Sequence, residues 1–377
     1  MYDVVIVGAG PAGLMAATKL PKTSSFLIID SKKEIGLPIK CGEGIRKKEF
    51  IRLFQHKNYP FVRNPVSKHQ IIYKDIKRTF KADYLQLDRD KFEKWLAKPI
   101  KNKIKLKTKC QDIIIRKDFT EIITNKGNIK TKLIILACGS NFNIQRKYKL
   151  LKKNPILLVC YGGMYKNHNH NPDKFYAYFD DKYFGYLWVF PKNKDIANIG
   201  FGTIAKGINV KKALDNMLKE INPNIKKVSN YGGIVPCSGP IEKTYHNRLL
   251  VCGDAAGLVY AGTGEGIYFA LESGKIAAET AKEAIKKDNF NKEFLKSYEV
   301  KWKKSFNKIM KAGIVFYDLQ YLAFKRKKIK ELFTIPSNKE IKMLLNGKIP
   351  LRANIAWHVY KFLKKIKNPT APRGRVY

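Results

Sequence analysis

The chain has 377 residues, 45% of them hydrophobic and 12% aromatic, enough to bury a substantial core and to divide into two or three domains rather than one. Its 74 Lys plus Arg against 31 Asp plus Glu leave a formal charge of +43, which steers any polyanion toward it, whether nucleic acid, anionic membrane or acidic ligand. No run approaches the roughly 18 apolar residues of a membrane span, and the six cysteines, Cys41, Cys110, Cys138, Cys160, Cys237 and Cys252, include no C-x-x-C pair that would signal zinc or an iron–sulfur cluster.

The first element is a short apolar, β-branched run, Val4 to Val7. It starts so close to Met1 that it leaves no room for a secretion signal, so free thiols and a cytoplasmic location are expected. Gly8-Ala9-Gly10-Pro11-Ala12-Gly13 follows, then a helical stretch through Leu20 and a second strand, Phe26 to Ile29, ending at Asp30. This is a βαβ opening for a dinucleotide. Gly8 permits the tight turn, Gly10 lets a pyrophosphate approach the backbone, and Gly13 lets helix and strand pack closely. The helix N-terminus then faces the phosphates, and Asp30, 22 positions after Gly8, meets a ribose hydroxyl.

Lys40-Cys41-Gly42-Glu43-Gly44 comes next, then Leu87-Asp88-Arg89 at the start of a helix running to Ala97. Leu133 to Gly139 reads as a core strand ending in a small-residue turn. Between about Pro155 and Pro240 the pattern changes to short alternating strands, among them Lys174 to Phe179 and Ala197 to Gly202, which predict an antiparallel sheet. Its densest aromatic run holds Tyr186, Trp188 and Phe190, which alternation places on one face. Arg248 to Gly257 is a further buried strand entering a turn with Asp254. Gly262-Thr263-Gly264-Glu265-Gly266-Ile267 then opens a helical segment to about Lys286.

The remainder is strongly basic. Asn291 to Tyr377 carries 22 Lys plus Arg and 5 Asp plus Glu, and nothing from Ile341 onward is acidic. In Leu351 to Lys367, Ile355, Val359, Phe362, Leu363 and Ile366 follow helical spacing, while Arg352, His358, Lys361, Lys364 and Lys365 lie largely elsewhere on the wheel. Such a helix can lie in an anionic headgroup layer or pack its stripe on the protein's own core, and the sequence leaves both open.

The N-terminal fingerprint paired with Asp254 resembles the FAD site of p-hydroxybenzoate-hydroxylase-like flavoproteins. Tyr186-x-Trp188-x-Phe190-Pro191 together with Lys40 to Gly44 makes the chain similar to the geranylgeranyl reductase family, and to its archaeal digeranylgeranylglycerophospholipid reductases in particular. The resemblance spans about Met1 to Lys286. One departure is Tyr183, where the family usually has a proline. What the resemblance implies is an α/β fold: a Rossmann-like FAD-binding domain (1–60, 81–152 and 241–290), an inserted antiparallel β-sheet substrate domain (61–80 and 153–240) and a basic C-terminal helical region (291–377). FAD would rest on Gly8, Gly10, Ala12, Gly13, Asp30, Arg89, Asp254, Gly266 and Ile267, with Cys41, Gly42 and Gly44 on the flavin side. Cys110 would touch it as the end of a strand. Tyr186, Trp188 and Phe190 would line a tunnel for a prenyl chain.

The activity implied is hydrogenation of C=C bonds in geranylgeranyl chains of an archaeal-type membrane lipid. An isolated alkene is a poor hydride acceptor, so protonation must accompany hydride delivery, and Cys41 or an ordered water is the candidate donor. The expected partners are the prenylated lipid, an anionic membrane surface contacted peripherally, and an electron donor, either an acidic ferredoxin suited to the basic surface or a reduced nicotinamide. No helix-turn-helix, zinc-finger or RNA-binding signature supports a specific nucleic-acid partner. Two other readings fit the same frame. An aromatic-type monooxygenase would need a polar pocket, and a non-catalytic prenyl-binding protein would need no tightly bound flavin.

Overall fold

The computed structural model describes residues 1–55 and 59–367, with backbone only for 363–367. The chain opens with β1 (Tyr2–Val7), α1 (Pro11–Lys19), β2 (Phe26–Ile29), β3 (Gly44–Arg46), α2 (Lys47–Phe54) and the long hairpin of β4 (Val62–Tyr73) and β5 (Ile76–Leu87). It continues through α3 (Arg89–Ala97), β6 (Ile104–Lys105), β7 (Cys110–Ile115), β8 (Thr120–Thr124), β9 (Gly127–Leu136) and α4 (Asn143–Lys147). Next come β10 (Leu157–Lys166), β11 (Lys174–Phe179), β12 (Gly185–Pro191), β13 (Ala197–Thr203), α5 (Val210–Ile221), β14 (Lys226–Lys227) and β15 (Tyr231–Pro236). The chain returns through β16 (Tyr245–His246) and β17 (Leu249–Val251) to α6 (Ile267–Lys286), α7 (Lys292–Lys325), α8 (Ile329–Thr334), α9 (Asn338–Leu345) and α10 (Leu351–Lys367).

Two sheets result. The first has the order β16-β17-β9-β1-β2-β6, with β7 and β8 attached through β9. Its centre is parallel, with Ile6 level with both Ile28 and Ile135. Val4, Val5, Ile6, Ile28 and Ile135 are wholly buried, which is why these strands read as continuous apolar runs instead of alternating ones. α1 and α6 lie so close that a methyl on Gly274 would stand 2.1 Å from the Ala12 carbonyl oxygen. Along α7, Tyr298, Trp302, Phe306 and Met310 recur every fourth residue and are buried in the same core. The basic C-terminal stretch is therefore anchored at its start on the nucleotide-type sheet.

The second sheet runs β14-β10-β13-β12-β11-β4-β5-β3, with β15 beside β10. It is antiparallel except where β11 pairs with β4, Phe175 level with His69. β5 is unbroken from Ile76 to Leu87, so the boundary expected at 80/81 falls inside one strand, and β3 adds Gly44–Arg46 to the same sheet. Leu187 and Val189 on one face of β12 pack against α5, leaving Tyr186, Trp188 and Phe190 on the other. No helix among the described residues is long and apolar enough to cross a membrane.

Candidate active site

The C-terminal ends of β1, β2, β9 and β17 all point the same way, which is where open α/β sheets bind ligands. They open into a cavity of about 1090 Å³, large for a ligand pocket by the usual ~300–1,000 Å³ range. Every cofactor and substrate residue expected above lines it except Gly13. Gly13 instead makes close packing possible, since a Cβ there would stand 1.9 Å from the Gly8 carbonyl oxygen.

At the nucleotide end, Gly8 has φ +113° and an added Cβ would meet the Ala137 carbonyl oxygen at 2.2 Å, so only glycine fits. At Gly10 an added Cβ meets nothing within 4 Å. No side chain caps α1 or α6, leaving their first amides and positive dipole ends free for an anion. Asp30 accepts from the Ala9 amide at 2.6 Å and the Lys32 amide at 2.8 Å, which orients its carboxylate at the cavity edge. Burial raises the carboxyl pKa of Asp254, with Arg89 opposing that shift. Cys110 lines the cavity too, but it opens β7 and does not end a strand. Burial pushes its thiol up to about 12, reinforced by Asp112.

At the other end, the loop carrying Cys41 is held by a buried polar network. Asn198, fully buried on β13, donates through Nδ2 to the Cys41 carbonyl at 2.7 Å and to Glu43 Oε2 at 2.9 Å. Its Oδ1 accepts from Trp188 Nε1 at 3.0 Å and from the Tyr231 hydroxyl at 2.9 Å. The same hydroxyl lies 2.9 Å from the Cys41 carbonyl oxygen. Burial above all keeps the Tyr231 phenol protonated, its pKa driven well above the usual value, with Cys41 and Glu43 adding to the effect. Glu43, itself fully buried at φ +68°, also takes Lys192 Nζ at 2.8 Å and the Arg89 amide at 3.0 Å. Gln86 donates to the Gly42 carbonyl at 3.0 Å. Burial disfavours the charge of the Arg89 guanidinium, but the Cys41 thiol in hydrogen-bond reach and Glu93 outweigh it and push its pKa up.

The polar atoms of the aromatic wall are already bonded within the protein. The Tyr186 hydroxyl donates to the Thr263 carbonyl at 2.6 Å, the Trp188 indole is bound to Asn198, and Phe190 stacks on Phe175 at 4.2 Å between centroids. Phe190 packs so tightly on Gly42 that a Cβ there would come within 2.9 Å of its ring.

Family models match in two places: "Geranylgeranyl reductase catalytic domain" over residues 157–235 and "Glucose inhibited division protein A" over residues 3–175. The digeranylgeranylglycerophospholipid reductase of Methanocaldococcus jannaschii is 37% identical over 80% of this chain and 82% of its own length. The chain belongs to the digeranylgeranylglycerophospholipid reductase family. Reductase 2 of that name from Methanopyrus kandleri is 28% identical over 97% of this chain and 96% of its own. Among solved structures, a geranylgeranyl bacteriochlorophyll reductase-like protein of Thermoplasma acidophilum superposes with TM-score 0.77 at 24% identity, covering 97% and 98% of the two chains. A mutant of the halogenase PltM in complex with FAD superposes at 0.66 with 14% identity, covering 89% and 84%. These two likenesses establish the shared fold.

Several site residues escaped the sequence reading. Glu43 stands inside the quoted glycine motif and Lys192 directly follows the aromatic one, yet neither was assigned a role. Asn198 had a legible signal, a lone amide in a mostly apolar strand, because a buried amide must find partners. His69 had none. It lines the cavity beside Tyr84 and Phe175, with ring centroids 5.9 and 6.1 Å away.

Burial lowers the His69 pKa to about 4, Glu265 opposing and Arg46 assisting. The folded value thus lies below the ~6.5 of an unfolded histidine. Between those values the unfolded chain binds the extra proton, so stability rises with pH across the window and is lost as pH falls from about 6.5 to about 4. His69→Phe should flatten that part of the curve, removing a loss of at most about 3 kcal/mol in urea unfolding at pH 7 and 4.5. An unchanged slope would mean that the imidazole stays hydrated and charged.

Proposed function

We propose that this chain is an FAD-dependent reductase that hydrogenates C=C bonds in the geranylgeranyl chains of digeranylgeranylglycerophospholipid, working at the periphery of a membrane. The observation that carries the reading is the composition of the large cavity. One end offers a glycine cradle and two uncapped helix N-termini, and the other an aromatic wall whose hydroxyl and indole groups are already bonded inside the protein. A wall of ring faces suits an apolar prenyl chain. A phenol for a monooxygenase would require unpaired donors there, so the reductase reading is favoured over that alternative.

The residues fit FAD. Gly10 leaves open the space that a side chain would fill, Asp30 presents a carboxylate at the end of β2, and Gly266 brings the start of α6 against Asp254, whose Oδ1 would lie 3.2 Å from an added Cβ. When bound, the reduced flavin would supply a hydride. The chain's own part is to keep the alkene dry and positioned and to steady positive charge developing on its tertiary carbon. Ring faces such as those of Tyr186 and Trp188 stabilise a nearby cation by about 0.5–2 kcal/mol. Cys41, with its thiol near the Arg89 guanidinium and its backbone held by Asn198 and Tyr231, is the candidate proton donor of this reading. The formal net charge of +43 suits an acidic one-electron carrier such as a ferredoxin as donor.

The test is to reduce the purified protein with dithionite without oxygen, add a geranylgeranylated glycerophospholipid, and follow flavin absorbance together with lipid mass. Reoxidation in step with gain of two mass units per double bond is the expected result. Flavin that stays reduced until air enters would sink the proposal and favour an oxygen-using reaction.

A further inference from the structure

The tail helix resolves the choice that its sequence left open, and in an unexpected way. α10 does dock on the body, but through Trp357, whose indole nitrogen donates to Asp318 Oδ2 of α7 at 2.7 Å, and through its partly buried neighbours Asn354 and Tyr360. The apolar stripe faces the other way. Leu351, Ile355, Val359 and Phe362 are 75%, 55%, 52% and 64% exposed. At about 100° per residue these four fall within roughly 80° of one another, on the side opposite Trp357. The side chains of Leu363 and Ile366 lie outside the described residues.

Such a stripe is rarely left in water without a purpose. Arg352 and His358 flank it, and the chain from Ile341 onward carries no acidic residue, so whatever covers the stripe must accept both apolar side chains and surrounding cations. A bilayer with anionic headgroups does both. We infer that the outward face of α10 is the surface by which this protein sits on an anionic membrane. The choice of a bilayer as occupant rests on the lipid-reductase reading. α7 stands between α10 and the main cavity: Asp318 anchors Trp357, while Phe316 and Gln320, about 160° around the same helix, line the cavity.

The full-length protein should sediment with vesicles of phosphatidylglycerol and phosphatidylcholine at low salt, and far less with phosphatidylcholine alone. Replacing the stripe by Ile355→Gln, Val359→Gln and Phe362→Gln together should lower the partition into anionic vesicles by about tenfold or more. Val300→Gln, at a 57% exposed site on α7, should leave it unchanged, and thermal unfolding confirms that both variants are folded. Three results would overturn the inference: wild-type protein remaining in the supernatant, a triple variant that sediments as well as wild type, or a wild-type dimer that the triple variant turns into a monomer, which would assign the stripe to a second copy. The vesicles carry no prenyl chains and no reductant is added, so failure of the reductase assay leaves this result standing, and the reverse holds as well.

Discussion

Gly10→Val should fold as the natural protein does and come off the column without flavin. Gly10 has φ −95° and ψ −171°, extended backbone that any residue adopts, and a Cβ there meets no heavy atom within 4 Å. Neither the backbone nor the space around the first side-chain atom opposes a larger residue. The space it enters is the mouth of α1, where free amides and the helix dipole would meet a pyrophosphate. Filling that space should weaken FAD by at least about 100-fold, or about 3 kcal/mol, with a melting temperature of the flavin-free protein close to that of the natural apoprotein. Gly8→Ala is the contrast. Its φ of +113° and the Ala137 carbonyl 2.2 Å away oppose any side chain, so it should lose fold and flavin together. The ratio of 450 nm to 280 nm absorbance after gel filtration reads both. A Gly10→Val protein that keeps one flavin per chain would remove the pyrophosphate from this turn.

Lys192→Met should cost about 3–5 kcal/mol at neutral pH, because it strips the ammonium from between two carboxylates that the fold has taken out of water. Lys192 Nζ lies 2.8 Å from Glu43 and 3.0 Å from Asp88, and the three side chains are 11%, 0% and 11% exposed. Burial by itself would raise the Asp88 pKa, but Lys192 and Arg63 hold it below the usual carboxylate range. Its folded value is therefore the lower one, so its contribution is present above about pH 4 and lost as pH falls through the depressed value. The gap between variant and natural protein should accordingly be widest near pH 7 and narrow below about pH 4. Urea unfolding at the two pH values measures it. A neutral-pH loss under about 1 kcal/mol would show that the pair is hydrated and that Lys192 does not hold the Cys41–Gly44 loop.

Much of the nucleotide half was legible without coordinates. Val4 to Val7, the spacing of Gly8, Gly10 and Gly13, and Asp30 closing β2 are local features, where strand length, turn geometry and helix start depend on neighbours a few residues apart. The alternation of Tyr186, Trp188 and Phe190 is likewise local, since the pleat of one strand decides it. What brings Asn198 to Cys41, 157 positions away, and Lys192 to Glu43 is pairing between distant strands, and such pairing leaves no periodic trace. The same limit hid the parallel register of β4 with β11, because a strand's own pattern says which face is buried but not which neighbour it will take. It also hid which side of α10 is covered. The sequence determined that the helix has an apolar stripe. Only the packed structure, with Trp357 anchored to Asp318 on the opposite side, decided that the stripe faces outward.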